Sequence, residues 1–441
     1  MWDKFLFKRI DNCPLLIFRI FFGILISLEC YGAIITGWVK RTLINPQFTF
    51  TFIGFEWLQP FPGIGMYLYF IVMGTLGLCI ALGYKYRVSI ISFTLLWIGV
   101  YLMQKTSYNN HYYLLILISA IMIFLPANTD YALDAKKYST APSRTMPAYV
   151  KWIIVFQLFI VYTFAAIAKM YGDWLDFGFI KVLMAPKANY PMIGSILQQP
   201  WVHVIIGSAG ILFDLLIIPA LLWKPTRKLA FVVSIFFHLF NSIVFQIGIF
   251  PYLSLAFTVF FFEPESIRRI FFKKRILLQA NEIRIPARRM LLVSTIGLYF
   301  LAQLALPIRH YFIKDDVLWT EEGHRMSWRM MLRSRTGTIR FKVVNKADGT
   351  FKFASLTDYL TKSQQRKIAT YPDFIWQFAQ HLKKESAGNG KEVSIYVTSR
   401  VSINGKSLRT FIDPKVDLAA EPWYHFSHHS WILSAPKQLS N

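Results

Sequence analysis

One lysine interrupts the apolar, helix-like run "FAAIAKMYGDW" at residues 164–174. A charged side chain at membrane depth is costly, so it usually has a partner or a function. Burial disfavours the charged form of a lysine, and a neutral Lys169 can act as a base. Two other interpretations stay open. The lysine can snorkel to lipid headgroups near the helix end, or it can pair with Asp173, four residues on, which favours the charged form.

A second polar cluster lies in "QKTSYNNHYYLL", residues 104–115. Asn109, Asn110 and His111 form a hydrogen-bonding set that suits an oxygen-rich ring at the membrane surface. The alternative is structural, with asparagine capping a helix and the following tyrosines forming an interfacial belt.

A third cluster, "LWTEEGHRMSWRMMLRSRTG" at residues 318–337, alternates aromatic, apolar and cationic side chains. Arginines flanked by tryptophans are what binding a peptide carboxylate requires. An edge strand with a solvated basic face explains the same pattern. The residues concerned are Trp319, Ser327, Trp328, Met330, Met331, Arg333 and Arg335.

Polar residues inside other apolar runs are weaker candidates. His238 and Asn241 share one side of their run, where they can line a cavity or join two helices. Asp214 is a lone carboxylate that needs a partner. The three histidines near the C-terminus have no carboxylate or cysteine at ligand spacing, so we expect no metal site.

Helices must position these clusters, because the first 307 residues are dominated by apolar runs. The chain of 441 residues is 55% hydrophobic and only 16% charged, which is unlike a soluble protein. Runs near the ~20-residue spanning length predict nine membrane spans. They are 15–37, 63–83, 86–104, 110–126, 149–170, 203–223, 229–245, 247–263 and 291–307.

The basic residues predict the orientation. Most lysines and arginines between the spans fall in segments on the side of the N-terminus, which places that terminus inside. Lys169 and the 104–115 cluster then reach the same outer face. Residues 264–289 read as a basic amphipathic helix on the inner leaflet. The net charge of +24 therefore indicates a lipid surface rather than nucleic acid.

Residues 308–441 predict a small α+β domain on the outer face. Alternating polar and apolar residues indicate two β-hairpins, turning at 347–349 and at Asn404-Gly405. Between them, 356–384 reads as helical with a break at Pro372. The fold class is thus a polytopic α-helical membrane domain, 1–307, followed by an extracytoplasmic, hairpin-rich α+β domain, 308–441.

In chain order, these clusters resemble the vitamin K-dependent γ-glutamyl carboxylase family, whose membrane part is an HTTM domain. The resemblance covers about residues 1–435 and rests on six motifs in the right order rather than on any one. They are "KTSYNNHYYL", "FAAIAKMYGDW", "GILFDLLIIPALL", "FHLFNSIVFQIGIFPY", "SWRMMLRSRTG" and "FIDPKVDL" followed by "SWIL".

The resemblance implies an enzyme. Family members oxidise vitamin K hydroquinone with O2 to the epoxide, and the base made on the way removes a γ-proton from a peptide glutamate, which then adds CO2. By motif match, Lys169 deprotonates the hydroquinone, and Asn110 and His111 hold its oxygens. His238 and Asn241 join that cofactor site. Trp319, Ser327, Trp328 and Arg335 match positions that line the glutamate site.

Some residues depart from the family pattern. Animal members have a lysine pair where this chain has Ala168-Lys169, and a histidine where it has Arg333. The cysteine pair that ties membrane part to outer domain is absent, and animal members continue past Asn441 into a region that aids propeptide docking. We therefore expect a bacterial homologue in the inner membrane, its outer domain periplasmic; a eukaryotic one would place that domain in the endoplasmic reticulum lumen.

Two other functions stay open. One is a quinol epoxidase that does not carboxylate, which Arg333 favours. The other is a membrane scaffold or transporter that reuses the fold and does not need Lys169. The sequence leaves the quinone (vitamin K or a menaquinol type), the protein substrate and the oligomeric state undetermined.

Overall fold

Helices dominate the first 308 residues, with one two-stranded sheet, and a four-stranded sheet follows them, in a computed structural model that describes residues 2–137, 143–276 and 282–435. The elements are α1 Trp2–Phe7, β1 Arg9–Asp11, α2 Cys13–Ile35, α3 Gly65–Leu82, α4 Tyr86–Met103, α5 Asn110–Phe124, α6 Leu133–Lys137, β2 Thr145–Pro147, α7 Tyr149–Ala168, α8 Gly172–Leu175, α9 Gly178–Met184, α10 Gly194–Leu197, α11 Pro200–Leu222, α12 Arg227–Phe245, α13 Phe250–Phe257, α14 Pro264–Phe271, α15 Arg289–Ile308, α16 Val317–Thr320, β3 Arg335–Asn345, β4 Phe351–Phe353, α17 Lys362–Ile368, α18 Pro372–Gly388, β5 Val393–Ile403 and β6 Arg409–Thr410.

Seven helices in the described residues are long and apolar enough to cross a membrane: α2, α3, α4, α7, α11, α12 and the helix Arg289–Phe312 that includes α15. At the fourth and eighth predicted spans the apolar helices are shorter, Asn110–Phe124 and Phe250–Phe260. The predicted count of nine is therefore not confirmed. The α5 helix begins only where Asn109 caps it, and it ends at Phe124 because the next residue, Leu125, precedes Pro126 and is extended.

Close helix contacts hold the bundle together around α2. Gly23 of α2 packs so tightly on α3 that a Cβ there would lie 2.4 Å from the backbone nitrogen of Ala81. The Ser27 hydroxyl donates a hydrogen bond of 2.9 Å to the carbonyl oxygen of Gly74. Small residues let two helix backbones approach in this way, because apolar lipid supplies no drive for helices to associate.

A buried arginine joins the segments that the charge pattern assigned to one side of the bundle. Arg275 donates to Asp11 at 2.6 Å and to Asp130 at 3.0 Å, while β1 pairs with β2. The predicted amphipathic helix over 264–289 is helical only at Pro264–Phe271. Residues 272–276 turn so that Arg275 reaches the interior, residues 282–288 are not helical, and 277–281 lie outside the described residues.

The C-terminal region forms an antiparallel sheet in the order β4-β3-β5-β6. Both predicted hairpins are present, and Asn404 and Gly405 have the positive φ values, 53° and 78°, that a tight turn requires. The predicted helical stretch is two helices, with Pro372 as the first residue of α18, where its missing N–H costs nothing. Both helices contact the sheet.

Buried polar contacts fasten this region to the bundle. Lys105, just after α4, pairs with Asp373 of α18 at 2.6 Å. Gln364 of α17 donates to the carbonyl oxygen of Phe48 at 2.7 Å, and Lys406 pairs with Asp173 at 2.6 Å. The sheet-bearing region is thus held at several points on one end of the bundle.

Candidate active site

A cavity of about 850 Å³ lies between the bundle and the sheet-bearing region. Its lower wall comes from the start of α5 and from residues 246–250, and its upper wall comes from residues 329–333 and α17. Seven of the residues singled out in the sequence line it: Asn109, Asn110, His111, Met330, Met331, Arg333 and Arg335. The cavity therefore joins parts of the chain that lie more than 200 residues apart.

Asn110 connects the two walls. Its Oδ1 accepts a hydrogen bond of 2.9 Å from the Tyr108 hydroxyl, and its Nδ2 donates one of 3.1 Å to the carbonyl oxygen of Arg329. The same tyrosine hydroxyl accepts from the backbone N–H of Met326 at 2.6 Å. Capping is done by Asn109, whose side chain accepts from the Tyr112 N–H. The two asparagines thus have separate tasks, one local and one between domains.

His111 is stacked on Phe250, with ring centroids 3.8 Å apart and an angle of 18° between the planes. No hydrogen-bond partner for its ring nitrogens is found among the described residues. His238 meets the same phenylalanine edge-on at 6.3 Å, and its Nε2 lies 3.3 Å from the Tyr162 hydroxyl. Phe250 therefore lies between two histidines, of which only His111 lines the cavity. Asn241, half-buried on α12, does not line it.

Lys169 is buried outside the cavity wall. Its Nζ lies 2.5 Å from Oδ2 of Asp214 and 3.2 Å from the carbonyl oxygen of Ala165. Trp174 covers it, with Nζ 5.5 Å from the ring centroid. Asp173, the partner considered on the sequence, instead accepts from Asn404 at 2.8 Å and pairs with Lys406. Lys169 and Asp214, each noted as needing a partner, are partners of each other.

The lysine is nevertheless next to the cavity wall. Tyr171, two residues on, donates its hydroxyl hydrogen to the carbonyl oxygen of Leu332. Ala168 packs with Leu332 and Leu318 in one small apolar cluster, and Leu332 lines the cavity. The segment that carries Lys169 therefore supports the loop that forms the upper wall.

Trp319, Ser327 and Trp328 hold this loop from behind. The Trp319 indole donates to the carbonyl oxygen of Leu433 at 2.7 Å, and the Ser327 hydroxyl donates to that of Gly323 at 2.6 Å. Trp328 is stacked on Tyr113 of α5, with centroids 5.0 Å apart. In the described structure none of the three lines the cavity, so they act on its shape through the loop.

Arg335 reaches the cavity with part of its guanidinium unused. Its Nη1 donates to the carbonyl oxygens of Leu318 and Trp319, at 2.6 and 2.8 Å, and lies 3.2 Å from Glu321. Its Nε and Nη2 are buried without an acceptor among the described residues. Arg333, by contrast, engages both oxygens of Glu321 through Nε and Nη2. Burial lowers the pKa of Arg335 to about 10, because the charged form loses its hydration.

Sequence reasoning missed several contributors to the cavity, among them two acidic residues. Glu29 of α2 lines it and accepts a hydrogen bond of 2.9 Å from the Tyr112 hydroxyl. A lone charged side chain in an apolar run was the signal that identified Lys169. The same signal could have identified Glu29. Asp373 could not be identified in this way, because its partners Lys105 and Arg325 come from distant segments.

The cavity is strongly cationic. Within the described residues, Glu29 is the one acidic side chain that lines it, whereas the basic ones are Lys105, Arg325, Arg329, Arg333, Arg335, Arg366 and Lys367. Two carboxylates behind the wall, Glu321 and Asp373, neutralise part of this charge. The remaining positive charge favours anionic ligands.

Two family models match the chain in succession. An HTTM domain covers residues 7–265, and the lumenal domain of vitamin K-dependent gamma-carboxylase covers residues 288–438. The chain belongs to the vitamin K-dependent gamma-carboxylase family. The cavity lies where the two matched parts of this carboxylase-family chain meet, with His111 from the first and Arg335 from the second. No solved structure matches the chain.

Proposed function

We propose that the protein is a vitamin K-dependent γ-glutamyl carboxylase. The observation that carries the proposal is the single cavity that brings His111 and Phe250 of the membrane domain to Arg335 of the lumenal domain. A quinol and a peptide glutamate must react side by side, and one cationic, partly apolar chamber suits both. The balanced reaction converts hydroquinone and O2 to epoxide and water, and glutamate and CO2 to γ-carboxyglutamate and a proton.

The hydroquinone fits the membrane wall. His111, stacked on Phe250, offers ring nitrogens that have no acceptor or donor among the described residues, and the cavity volume accommodates a bicyclic ring. His238 contacts the other side of Phe250, and Asn110 ties this wall to the loop above. Asn241, about one turn further along α12, is proposed to join the same cofactor site. Oxidation of the hydroquinone by O2 supplies the base that attacks glutamate. A menaquinol-type quinol would meet the same groups.

Lys169 is the proposed proton acceptor for a hydroquinone hydroxyl. Asp214, 2.5 Å from Nζ, can take the lysine's own proton and leave a neutral amine. Both groups are buried, so removing their charges from water is costly. Because Lys169 does not line the cavity, proton transfer from a bound hydroquinone to Nζ requires a local rearrangement of the wall.

The glutamate carboxylate is proposed to bind Arg335. The unused Nε and Nη2 of that guanidinium form a fork that matches the two oxygens of a carboxylate. Arg333 does not compete, since Glu321 occupies it. The loop that precedes Arg335 is held in place by Trp319, Ser327 and Trp328.

The location of the protein is part of the same proposal. The N-terminus is cytoplasmic, and the sheet-bearing domain, divided from the membrane domain at 307/308, is periplasmic, or lumenal in a eukaryote. The Arg275 cluster supports the grouping of the inner segments, because it joins the N-terminal segment, residue 130 and residue 275 on one side of the bundle. The partners are then a lipid bilayer and a glutamate-containing peptide, with no nucleic acid.

The decisive experiment supplies the purified protein with vitamin K hydroquinone, O2, labelled bicarbonate and a glutamate peptide. We expect epoxide and fixed label together, both reduced about 10²- to 10⁴-fold in Lys169→Ala, the usual contribution of proton transfer by a positioned side chain. The matched control is Lys181→Ala, which removes an exposed lysine of α9 and should leave both products unchanged.

Other outcomes identify the rival functions. Epoxide without fixed label would mean a quinol oxidation that does not carboxylate. Neither product, with full biological function retained by Lys169→Ala, would mean a scaffold or transporter in which the Lys169–Asp214 pair only stabilises the bundle.

A further inference from the structure

The arginines that line the cavity differ in how well the protein neutralises them. Arg325 shares Asp373 with Lys105, and Arg333 holds both oxygens of Glu321. In Arg335, Nη1 donates to two carbonyl oxygens, whereas Nε and Nη2 have no acceptor among the described residues. Arg329 has no carboxylate within 4 Å among the described residues, and its Nε is buried without an acceptor. Among the buried arginines that line the cavity in the described structure, Arg329 and Arg335 therefore have hydrogen-bonding capacity to spare.

A histidine lies among these arginines. His324 lines the cavity, and its Nδ1 is buried without a partner in the described residues. Burial and the charges of Arg333, Arg329, Arg325 and Arg335 hold the pKa of this imidazole well below its usual range. A neutral imidazole keeps one N–H to donate to an anion. Three side chains that line one chamber thus carry buried nitrogens without partners in the described structure, where buried polar groups are normally satisfied.

A substrate glutamate supplies one carboxylate, which can neutralise one of the two arginines. If this carboxylate binds Arg335, Arg329 is left without an anionic partner. The product of the proposed reaction has two carboxylates on the same carbon. The donor set is therefore better matched to the product side chain than to the substrate.

We propose that Arg329, with His324, is the binding site for the carboxylate that enters as CO2, so that the cavity takes a malonate-like dicarboxylate across Arg335 and Arg329. This rests on the proposed function and deepens it. When the γ-proton leaves, its electron pair forms the new bond to the carbon of CO2, and one C=O electron pair moves onto oxygen. The positive charge of Arg329 would stabilise the negative charge that develops on this oxygen.

The position of Arg329 is held firmly enough for this role. Its carbonyl oxygen accepts from Asn110 of α5, and its Nη1 lies 3.4 Å from Nε2 of His310. The neighbouring Trp328 and Met331 both adopt positive φ, 57° and 50°, a conformation that costs energy and occurs often at functional sites. The loop thus presents Arg329 in a defined place.

The test measures binding of malonate and of propionate, a monocarboxylate of similar size, to the full-length protein in nanodiscs by calorimetry. Ionic strength is constant and the pH is one at which both malonate carboxyl groups are ionised. We expect malonate to bind more tightly than propionate. Arg329→Gln should lose about ten- to a hundredfold in malonate affinity, the value of a hydrogen bond to a charged group, with little change for propionate.

Three further variants define the result. Arg335→Gln should weaken both anions, and Arg329→Lys should restore part of the malonate preference, because it keeps the charge but not the planar fork. Arg340→Gln, which removes an exposed arginine of β3, should change neither. Equal binding of the two anions by the wild type, or equal loss of malonate affinity in Arg329→Gln and Arg340→Gln, would overturn the proposal.

The turnover assay separates this proposal from the proposed function. If the protein fixes label but Arg329→Gln retains the malonate preference and the wild-type KM for CO2, the second carboxylate site is wrong and the carboxylase stands. If no label is fixed but the malonate preference depends on Arg329, the dicarboxylate site stands and the carboxylase assignment fails.

Discussion

Two buried arginine sites at opposite ends of the bundle differ in how completely the protein satisfies them. Arg275 donates to Asp130, Asp11, Asn12 and the carbonyl oxygen of Arg144. Arg329 and Arg335, at the cavity, have buried nitrogens without acceptors in the described structure. A saturated buried arginine stabilises the fold, whereas an unsaturated one keeps its capacity for a ligand, because an unpaired buried donor costs stability until something binds it.

The largest expected effect concerns the saturated site. Arg275→Gln removes the cation that compensates Asp11 and Asp130 and should cost about 3–5 kcal/mol of unfolding free energy. Denaturant unfolding in mixed micelles measures it. Arg284→Gln, in an exposed pair with Glu282, is the control and should change stability little. Equal stabilities for the two variants would remove the contrast between the sites.

The second prediction concerns Lys105, a partly compensated cation at the cavity. Burial lowers its pKa from 10.5 to about 8, since Asp373 is already shared with Arg325. Between these pH values the unfolded chain binds a proton that the folded protein has lost, so stability rises with pH. Relative to Lys105→Met, the wild type should gain up to about 3 kcal/mol over this window. A difference that is flat or falls with pH contradicts the assignment.

The smallest effect is expected at the unsaturated site. Arg329→Gln removes a buried cation without a carboxylate partner, so the unfolding free energy should change by less than about 1 kcal/mol, or increase. The same unfolding measurement is made on Arg329→Gln and on Arg275→Gln. Because both variants replace a buried arginine by glutamine, their losses of unfolding free energy can be compared directly. A loss as large as that of Arg275→Gln would mean that Arg329 is structural and that the two sites do not differ.

Several features were predictable because they depend on neighbours in sequence. Apolar runs of spanning length predicted the seven long helices. The Asn404-Gly405 turn followed from residues that tolerate positive φ, and Pro372 correctly indicated a break between two helices. The fourth predicted span, 110–126, extended past the end of α5 because hydropathy does not register the proline that ends this helix.

The pairing of charged groups was decided by the tertiary structure alone. The sequence identified Lys169 and Asp214 separately as buried charges in need of partners, and only the packing of α7 against α11 brought them to 2.5 Å. Asp173, the local candidate, was instead taken by Lys406. The sequence determines which residues are candidates for chemistry, since these depend on side-chain composition and helical period. Which of them meet, and which are left with donors to spare, depends on how distant helices pack.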